Sequence, residues 1–306
     1  MERVPLGNTG LIVSRLGLGL AEIGWYDGPD AIAKAGRILN TALDAGINFL
    51  DTAECYDLSE DLIGRTVAHR RREFLLATKV GHVPHRMSGT PWTGEIVSAS
   101  IDNSLKLLKT DYVDLLQVHA YDAPHPIPDQ VLRAVEDARD AGKTRFIGFS
   151  QENEEADWAL ESGLFDTLQT AFSLVDQRAR NELLDKAKEK GVGVIAKRPI
   201  ANAVWGKSCL EGDYSTDGIA GHLLERARIM QEAGPLDGAP RDPIELALGF
   251  VLAHDQINTA IVGTSNPEHM LSNIRMIEER LPIDYEVVEL LHRRFDEVGM
   301  DWPSID

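Results

Sequence analysis

The chain has 306 residues, 43% of them hydrophobic and 26% charged, which is ordinary globular usage and enough length to bury a large core without disulfides. A formal net charge of −18 excludes a nucleic-acid surface built on clustered Lys and Arg, and no apolar run nears the roughly 18–20 residues of a membrane span. Cys55 and Cys209 make neither a disulfide framework nor a metal-ligand spacing, and the first ten residues lack a secretion signal, so a reduced cytoplasmic protein is expected.

In chain order, residues 3–13 (RVPLGNTGLIV) predict a β-hairpin turning near Gly7-Asn8 and Gly10, placed to plug the bottom of a barrel. A first β-type run at 15–20 (RLGLGL) is followed by seven more, at 47–51 (INFLD), 74–79, 113–119 (VDLLQVH), 144–150, 167–172, 192–197 and 259–263. Between and after them, apolar residues recur at three- and four-residue spacing over 30–45, 59–68, 94–108, 128–141, 154–161, 179–188, 243–254 and 267–277. Turn signals at Ala45-Gly46, Ala141-Gly142 and Lys190-Gly191 stop helices just before strands. Residues 202–241 form a long insertion after the seventh strand with one helical patch at 220–233, and a last helix is predicted over 285–298. Largely apolar strands alternating with helices predict a parallel sheet covered by helices. Eight such units in about 300 residues fit a closed (β/α)8 TIM barrel better than a doubly wound sheet. GLGLAEIG is a poor match to a phosphate-binding Gly-rich loop. No linker interrupts the pattern, so residues 1–306 are expected to form one barrel domain.

In such a barrel, chemistry gathers at the C-terminal ends of the strands. Asp51 closes the second strand, Tyr56 follows five residues later, Lys79 closes the third strand and His119 the fourth. Singly, each has an ordinary reading: a helix cap, a loop contact, a solvated cation, a structural histidine. Four such groups on consecutive strand ends point instead to a reaction centre.

The run LDAGINFLDTAECYDLSEDLIG, then LLATKVG, DLLQVHAYD, IGFS, LQTAFS and IVGTSNPEHMLSNI, resembles the aldo-keto reductase superfamily over nearly the whole chain. IAKRPIANAVW and the compact length look more like its bacterial members. The resemblance implies hydride transfer from a nicotinamide to a carbonyl, with Tyr56 donating the proton, Lys79 lowering the Tyr56 pKa, Asp51 fixing Lys79, and His119 orienting the substrate oxygen. It implies that Ser150 and Gln169 hold the nicotinamide carboxamide. The usual Asn after that serine is Gln151 here, with Asn153 close behind. Lys197, Arg198 and Ile200 are expected along the pyrophosphate, the two cations offsetting the acidic surroundings; either could instead be simply solvated.

Gly263, Thr264 and Ser265, before a helix start, are expected at the adenosine end, with His269 and Asn273 one turn apart beyond them. Asn273 matches an adenine contact. His269 stands where NADPH-preferring relatives often carry Arg, and Gly263 where some carry Lys. Family frequency favours NADPH, with NADH open. Trp25, Tyr26, Trp92 and Tyr121 are expected to wall the substrate pocket, with Trp205 opening the insertion; each has loop packing as its alternative. Cys55, beside Tyr56, has no dedicated base and is not expected to be a nucleophile.

Two other functions suit the same residues. One is a sugar or alcohol dehydrogenase using NAD(P)+, with Tyr56 taking the proton. The other is a non-catalytic nicotinamide-sensing subunit bound to a larger protein. The partner expected here is a small carbonyl molecule. Oligomeric state has no sequence signal, since a closed barrel exposes no sheet edge that needs covering.

Overall fold

The structure, a computed structural model, describes residues 1–84, 87–120, 122–206, 218–303 and 305. Strands β1 (Arg3–Pro5) and β2 (Ile12–Ser14) pair antiparallel around a 3-10 turn at Gly7–Thr9. Eight parallel strands then close a barrel: β3 (Leu16–Gly19), β4 (Phe49–Asp51), β5 (Leu75–Val80), β6 (Val113–His119), β7 (Thr144–Ser150), β8 (Thr167–Ala171), β9 (Gly193–Lys197) and β10 (Thr259–Gly263). Each pairs with its neighbour in sequence, and β10 closes on β3. The (β/α)8 expectation, the N-terminal hairpin and the final helix, Tyr285–Val298, are all present.

Side-chain alternation along the strands sorts the barrel into a dry bottom and a polar top. Phe49, Ala77, Leu115, Ile195 and Ile261 point inward and form one buried cluster with Leu6, Leu11 and Val13 of the hairpin. The hairpin therefore closes the lower end. Burying side chains such as Leu6 and Val13 contributes about 1.5–3 kcal/mol each. Gly7 fits because its backbone lies against Gly191 and Gly193, where a Cβ would overlap main-chain atoms, and because its φ is +52°. Two residues further along the same inward faces stand Asp51, Lys79, Gln117, Lys197 and Gly263. The second face of each strand, with Leu50, Leu76, Leu116 and Val194, packs beneath the helices.

Several boundaries differ from the sequence reading. The predicted helix 179–188 is a 3-10 turn at Arg178–Arg180 followed by an α-helix at Leu183–Lys190. The insertion contains a 3-10 segment at Ala201–Gly206 and the helix Gly218–Glu232. A short helix at Ala21–Gly24, with no sequence periodicity to announce it, directly follows β3. Among the described residues, no helix is long and apolar enough to cross a membrane.

Candidate active site

Asp51, Lys79 and His119 stand at or near the C-terminal ends of β4, β5 and β6. Tyr56 is held over them by a tight turn. Its N–H donates to the Ala53 carbonyl (3.1 Å) and its carbonyl accepts from the Ser59 N–H (2.9 Å). Ser59 Oγ lies 2.8 Å from Thr52 Oγ1 and donates to the Leu20 carbonyl (2.8 Å), fastening the start of the helix Ser59–Thr66 to the barrel rim. Gly24 touches the Tyr56 carbonyl so closely that a Cβ there would overlap it.

Lys79 is fully buried, and its ammonium uses its three donors within the site. Nζ donates to Asp51 Oδ2 (2.5 Å), to the Thr52 carbonyl (2.9 Å) and to Tyr56 Oη (3.5 Å). Asp51 is 2% exposed, and its second oxygen accepts from Gln117 Nε2 (3.0 Å) and Gln169 Nε2 (2.8 Å). Burial would discharge Lys79, but the adjacent Asp51 carboxylate reverses this and holds its pKa above the usual lysine value. The Tyr56 phenol, by contrast, is pushed up: burial dominates, and the Lys79 charge offsets only part of it. Lys79 acts in the expected direction, and burial, which the sequence does not show, outweighs it. Tyr56 therefore keeps its proton through neutrality, and with Lys79 donating to the phenolic oxygen, that proton is the one the ring can surrender.

His119 stands edge-on to Tyr56, with ring centroids 6.1 Å apart. Its pKa is lowered well below the ordinary histidine value, first by burial and then by Lys79 and Lys197. It is thus neutral, able to donate one hydrogen bond without carrying charge. Its Nδ1 lies 3.7 Å from Cys55 Sγ, and the Cys55 thiol is pushed up to about 11 by burial. Cys55 is no nucleophile at neutral pH, as expected from the sequence.

Ser150 is paired in register with both His119 and Gln169. Its Oγ donates to Gln169 Oε1 (3.3 Å), so it joins this polar ring instead of capping the next helix. Gln151 turns inward on the protein: Nε2 donates to the Ala120 carbonyl and Oε1 accepts from the Glu152 N–H, both at 2.9 Å. Asn153 opens the helix Asn153–Ser162. Lys197 pairs with Glu152 (2.9 Å), and Arg198 donates to the Ile305 carbonyl (2.6 Å). Neither cation is simply solvated, and Lys197 already faces a carboxylate. Ile200 is partly buried against the core.

At the end of β10, the loop over Gly263, Thr264 and Ser265 leads to Asn266, whose side chain caps the helix Pro267–Arg280 by accepting from the Glu268 N–H. Tyr26 Oη donates to the Ser265 carbonyl (3.3 Å), linking the first loop to the last. His269 is exposed and Asn273 is buried. Glu22, from the short helix after β3, lies directly against Gly263, where a Cβ would overlap its carboxylate. Burial raises the Glu22 pKa, and among the described residues no ion pair balances it.

The expected aromatic wall is divided. Trp25 is 72% exposed, whereas Trp92 is buried edge-on against His82, with centroids 5.3 Å apart. Trp205 is partly buried against the core, and Tyr121 and Cys209 lie outside the described residues. A separate cleft of about 650 Å³ at the opposite, hairpin end is lined by Glu2, Asn8, Arg15 and Asn258 and holds none of the candidate residues. Sequence reasoning missed His82, Gln117, Glu22 and two buried acids, Glu54 and Glu60. Burial pushes Glu54 up to about 8 and Glu60 to about 7. Gln117 had a readable signal: it is polar, two residues before His119, in a strand that is otherwise mostly apolar.

Residues 15–291 match the family model described as the aldo/keto reductase family. The oxidoreductase YrpG of Bacillus subtilis is 32% identical over 99% of both chains. The L-galactose dehydrogenase of Arabidopsis thaliana is 29% identical over 99% of this chain and 98% of its own. The holo form of the aldo-keto reductase AKR11C1 from Bacillus halodurans superposes with a TM-score of 0.82 at 28% identity, covering 96% of each chain.

Proposed function

Since this chain belongs to the aldo/keto reductase family and is an NAD(P)H-dependent oxidoreductase, we propose that it reduces the carbonyl of an aldehyde, ketone or sugar, with Tyr56 as proton donor. The observation that carries this reading is the chain of contacts from the buried Asp51 through the buried Lys79 to the Tyr56 oxygen. A reduced nicotinamide supplies a hydride when bound. The carbonyl oxygen then gains negative charge, and Tyr56 neutralises it by giving up its O–H proton. Lys79 stabilises the phenolate as it forms, and Asp51 keeps Lys79 charged and in place. The neutral His119 ring donates to the same oxygen and aims it at Tyr56, an oxyanion-hole task.

The residues fit such a cofactor. Ser150 and Gln169 are buried polar groups beside the catalytic set, with the donors and acceptors a carboxamide needs. Ser265 and Asn266 lead into the helix Pro267–Arg280, whose N-terminal N–H groups favour anions, and Asn273 is buried within that helix. For the adenosine end, the Glu22 carboxylate against Gly263 weighs against a 2′-phosphate and moves our choice from NADPH to NADH. His269, exposed and without a guanidinium fork, does little to offset it.

Tyr56 holds its proton at neutrality, as a donor in reduction must. The oxidative reading keeps one specific support: the Arabidopsis relative is an L-galactose dehydrogenase at nearly full-length coverage. Tyr56→Phe tests the assignment. Carbonyl-dependent oxidation of NADH or NADPH is expected to fall about 10²–10⁴-fold, while cofactor binding, followed by fluorescence, survives. Near-normal turnover in the variant would overturn the role of Tyr56.

A further inference from the structure

A second constellation shares His119 with the catalytic set and adds Cys55 and His82, two residues that carbonyl reduction does not use. Cys55 follows β4, His82 follows β5 three residues after Lys79, and His119 ends β6. One coordinating atom from each, the Cys55 sulfur and a nitrogen of each imidazole, lies within 4.8 Å of the other two. The Cys55 Sγ to His119 Nδ1 distance is 3.7 Å, and the two imidazole centroids are 5.2 Å apart with their planes perpendicular. We propose that Cys55, His82 and His119 form a binding site for a thiophilic divalent cation of the zinc type, and that its occupancy competes with carbonyl turnover.

Tetrahedral zinc with bonds of about 2.3 Å to sulfur and about 2.0 Å to nitrogen places its ligand atoms roughly 3.3–3.8 Å apart. The cluster must therefore contract by up to about 1.5 Å at its widest separation, within reach of side-chain rotation. One ligand ends a strand and two sit in the first residues after the neighbouring strands, and the three leave a fourth position for water or an added ligand. A further feature supports the site. Asp122 Oδ1 sits 2.7 Å from His82 Nε2, the carboxylate–imidazole pairing that orients ligating histidines. Cys, His, His with an outer carboxylate selects zinc, cobalt or copper over magnesium or calcium, whose oxygen preference this set does not meet.

Binding has a defined cost. The Cys55 S–H must release its proton to solvent, the aquo ion must lose three waters, and the contact between Cys55 and His119 is exchanged for coordination. No oxidation state changes. The Lys79 ammonium nearby opposes a dication, while the new thiolate and Asp122 offset it. Once coordinated, His119 can no longer turn to meet a substrate oxygen, which is why occupancy and turnover exclude each other. The metal site itself stands without the reductase reading; only the competition rests on it.

Cobalt(II) tests the site in the full chain, because a cobalt–thiolate bond has its own charge-transfer absorption and tetrahedral cobalt strong visible bands. One equivalent is expected to produce both, and zinc to abolish them. Cys55→Ser should lose the charge-transfer band, His82→Gln should weaken cobalt binding by about tenfold or more, and Cys209→Ser should retain both signals. Circular dichroism verifies that each variant is folded. Absence of the bands, their persistence in Cys55→Ser, or their loss in Cys209→Ser would overturn the site. Zinc should inhibit the wild-type chain, with its inhibition constant raised by about tenfold or more in Cys55→Ser, each protein measured against its own metal-free rate. Cobalt bands with unchanged turnover would overturn the competition, whereas no turnover even without metal would count against the reductase reading alone.

Discussion

Replacing Lys79 together with Asp51 removes the cation without orphaning the carboxylate and reads their net effect on Tyr56, the Lys79 attraction less the smaller opposing Asp51 charge. Lys79→Met alone would strand a 2% exposed carboxylate, so the informative variant is Lys79→Met with Asp51→Asn. The amide introduced by Asp51→Asn keeps an oxygen for the bonds from Gln117 and Gln169. With Nζ and Oη 3.5 Å apart, a full ammonium–phenolate attraction is worth about 5 kcal/mol at an effective dielectric of about 20. A transition state with the proton half transferred would realise about 2–3 kcal/mol of that, a loss of roughly 10²-fold in rate. The assay is kcat/KM for carbonyl-dependent NADH oxidation across pH, with thermal melting as the check on folding. The Tyr56 pKa, already raised by burial, should rise further without the cation, so the alkaline limb of the profile should move upward. A folded double variant within tenfold of wild type, with an unmoved alkaline limb, would refute the dependence of Tyr56 on Lys79.

Three further outcomes follow from neighbouring residues. Glu22→Gln removes the carboxylate that lies against Gly263, and the NADPH-to-NADH ratio of kcat/KM is expected to rise by about tenfold, the worth of about 1.4 kcal/mol; an unchanged ratio would clear Glu22 of any part in cofactor choice. Gly24→Ala forces a methyl into the Tyr56 carbonyl, so kcat should drop by about tenfold or more with little change in cofactor affinity, since sub-ångström misplacement of an acid is costly. Glu60 is raised from 4.5 to about 7 chiefly by burial, so the folded chain binds the extra proton. The stability from that proton is fully present below about pH 4.5 and is lost as pH climbs through 7, by up to about 3 kcal/mol. Glu60→Gln resembles the protonated acid and can still accept from Thr78, so it should melt near wild type at pH 5 and several degrees higher at pH 8; a gap independent of pH would contradict the burial argument.

The barrel was legible because short, largely apolar runs alternate along the chain with segments of three- to four-residue helical spacing. The four catalytic candidates were legible because strand ends in this architecture converge on one rim. Gln117 could have been added by the same alternation that places Phe49 with Asp51, Ala77 with Lys79 and Leu115 with Gln117 on the inward face. Glu22 and His82 could not. Glu22 sits on a helix of four residues, too short for periodicity, and meets Gly263 only because β10 closes on β3. His82 acquires its neighbours from the loops after three different strands.

The Tyr56 pKa shows most clearly where residue identity stops deciding the chemistry. Proximity to Lys79 fixes one sign, downward, and that sign is readable from strand-end placement alone. Burial fixes the opposite sign, and its size depends on where the turn pinned by Ser59 and Gly24 holds Tyr56 against the barrel rim. Burial wins before substrate arrives, which keeps the proton on Tyr56 through neutrality. The Lys79 contribution matters at the moment when charge develops on the phenolic oxygen. A site with the cation but without the burial would hold a more acidic tyrosine. Burying the phenol and placing one ammonium 3.5 Å from its oxygen are therefore two separate requirements: the turn after β4 positions Tyr56, and Lys79 near the end of β5 supplies the ammonium.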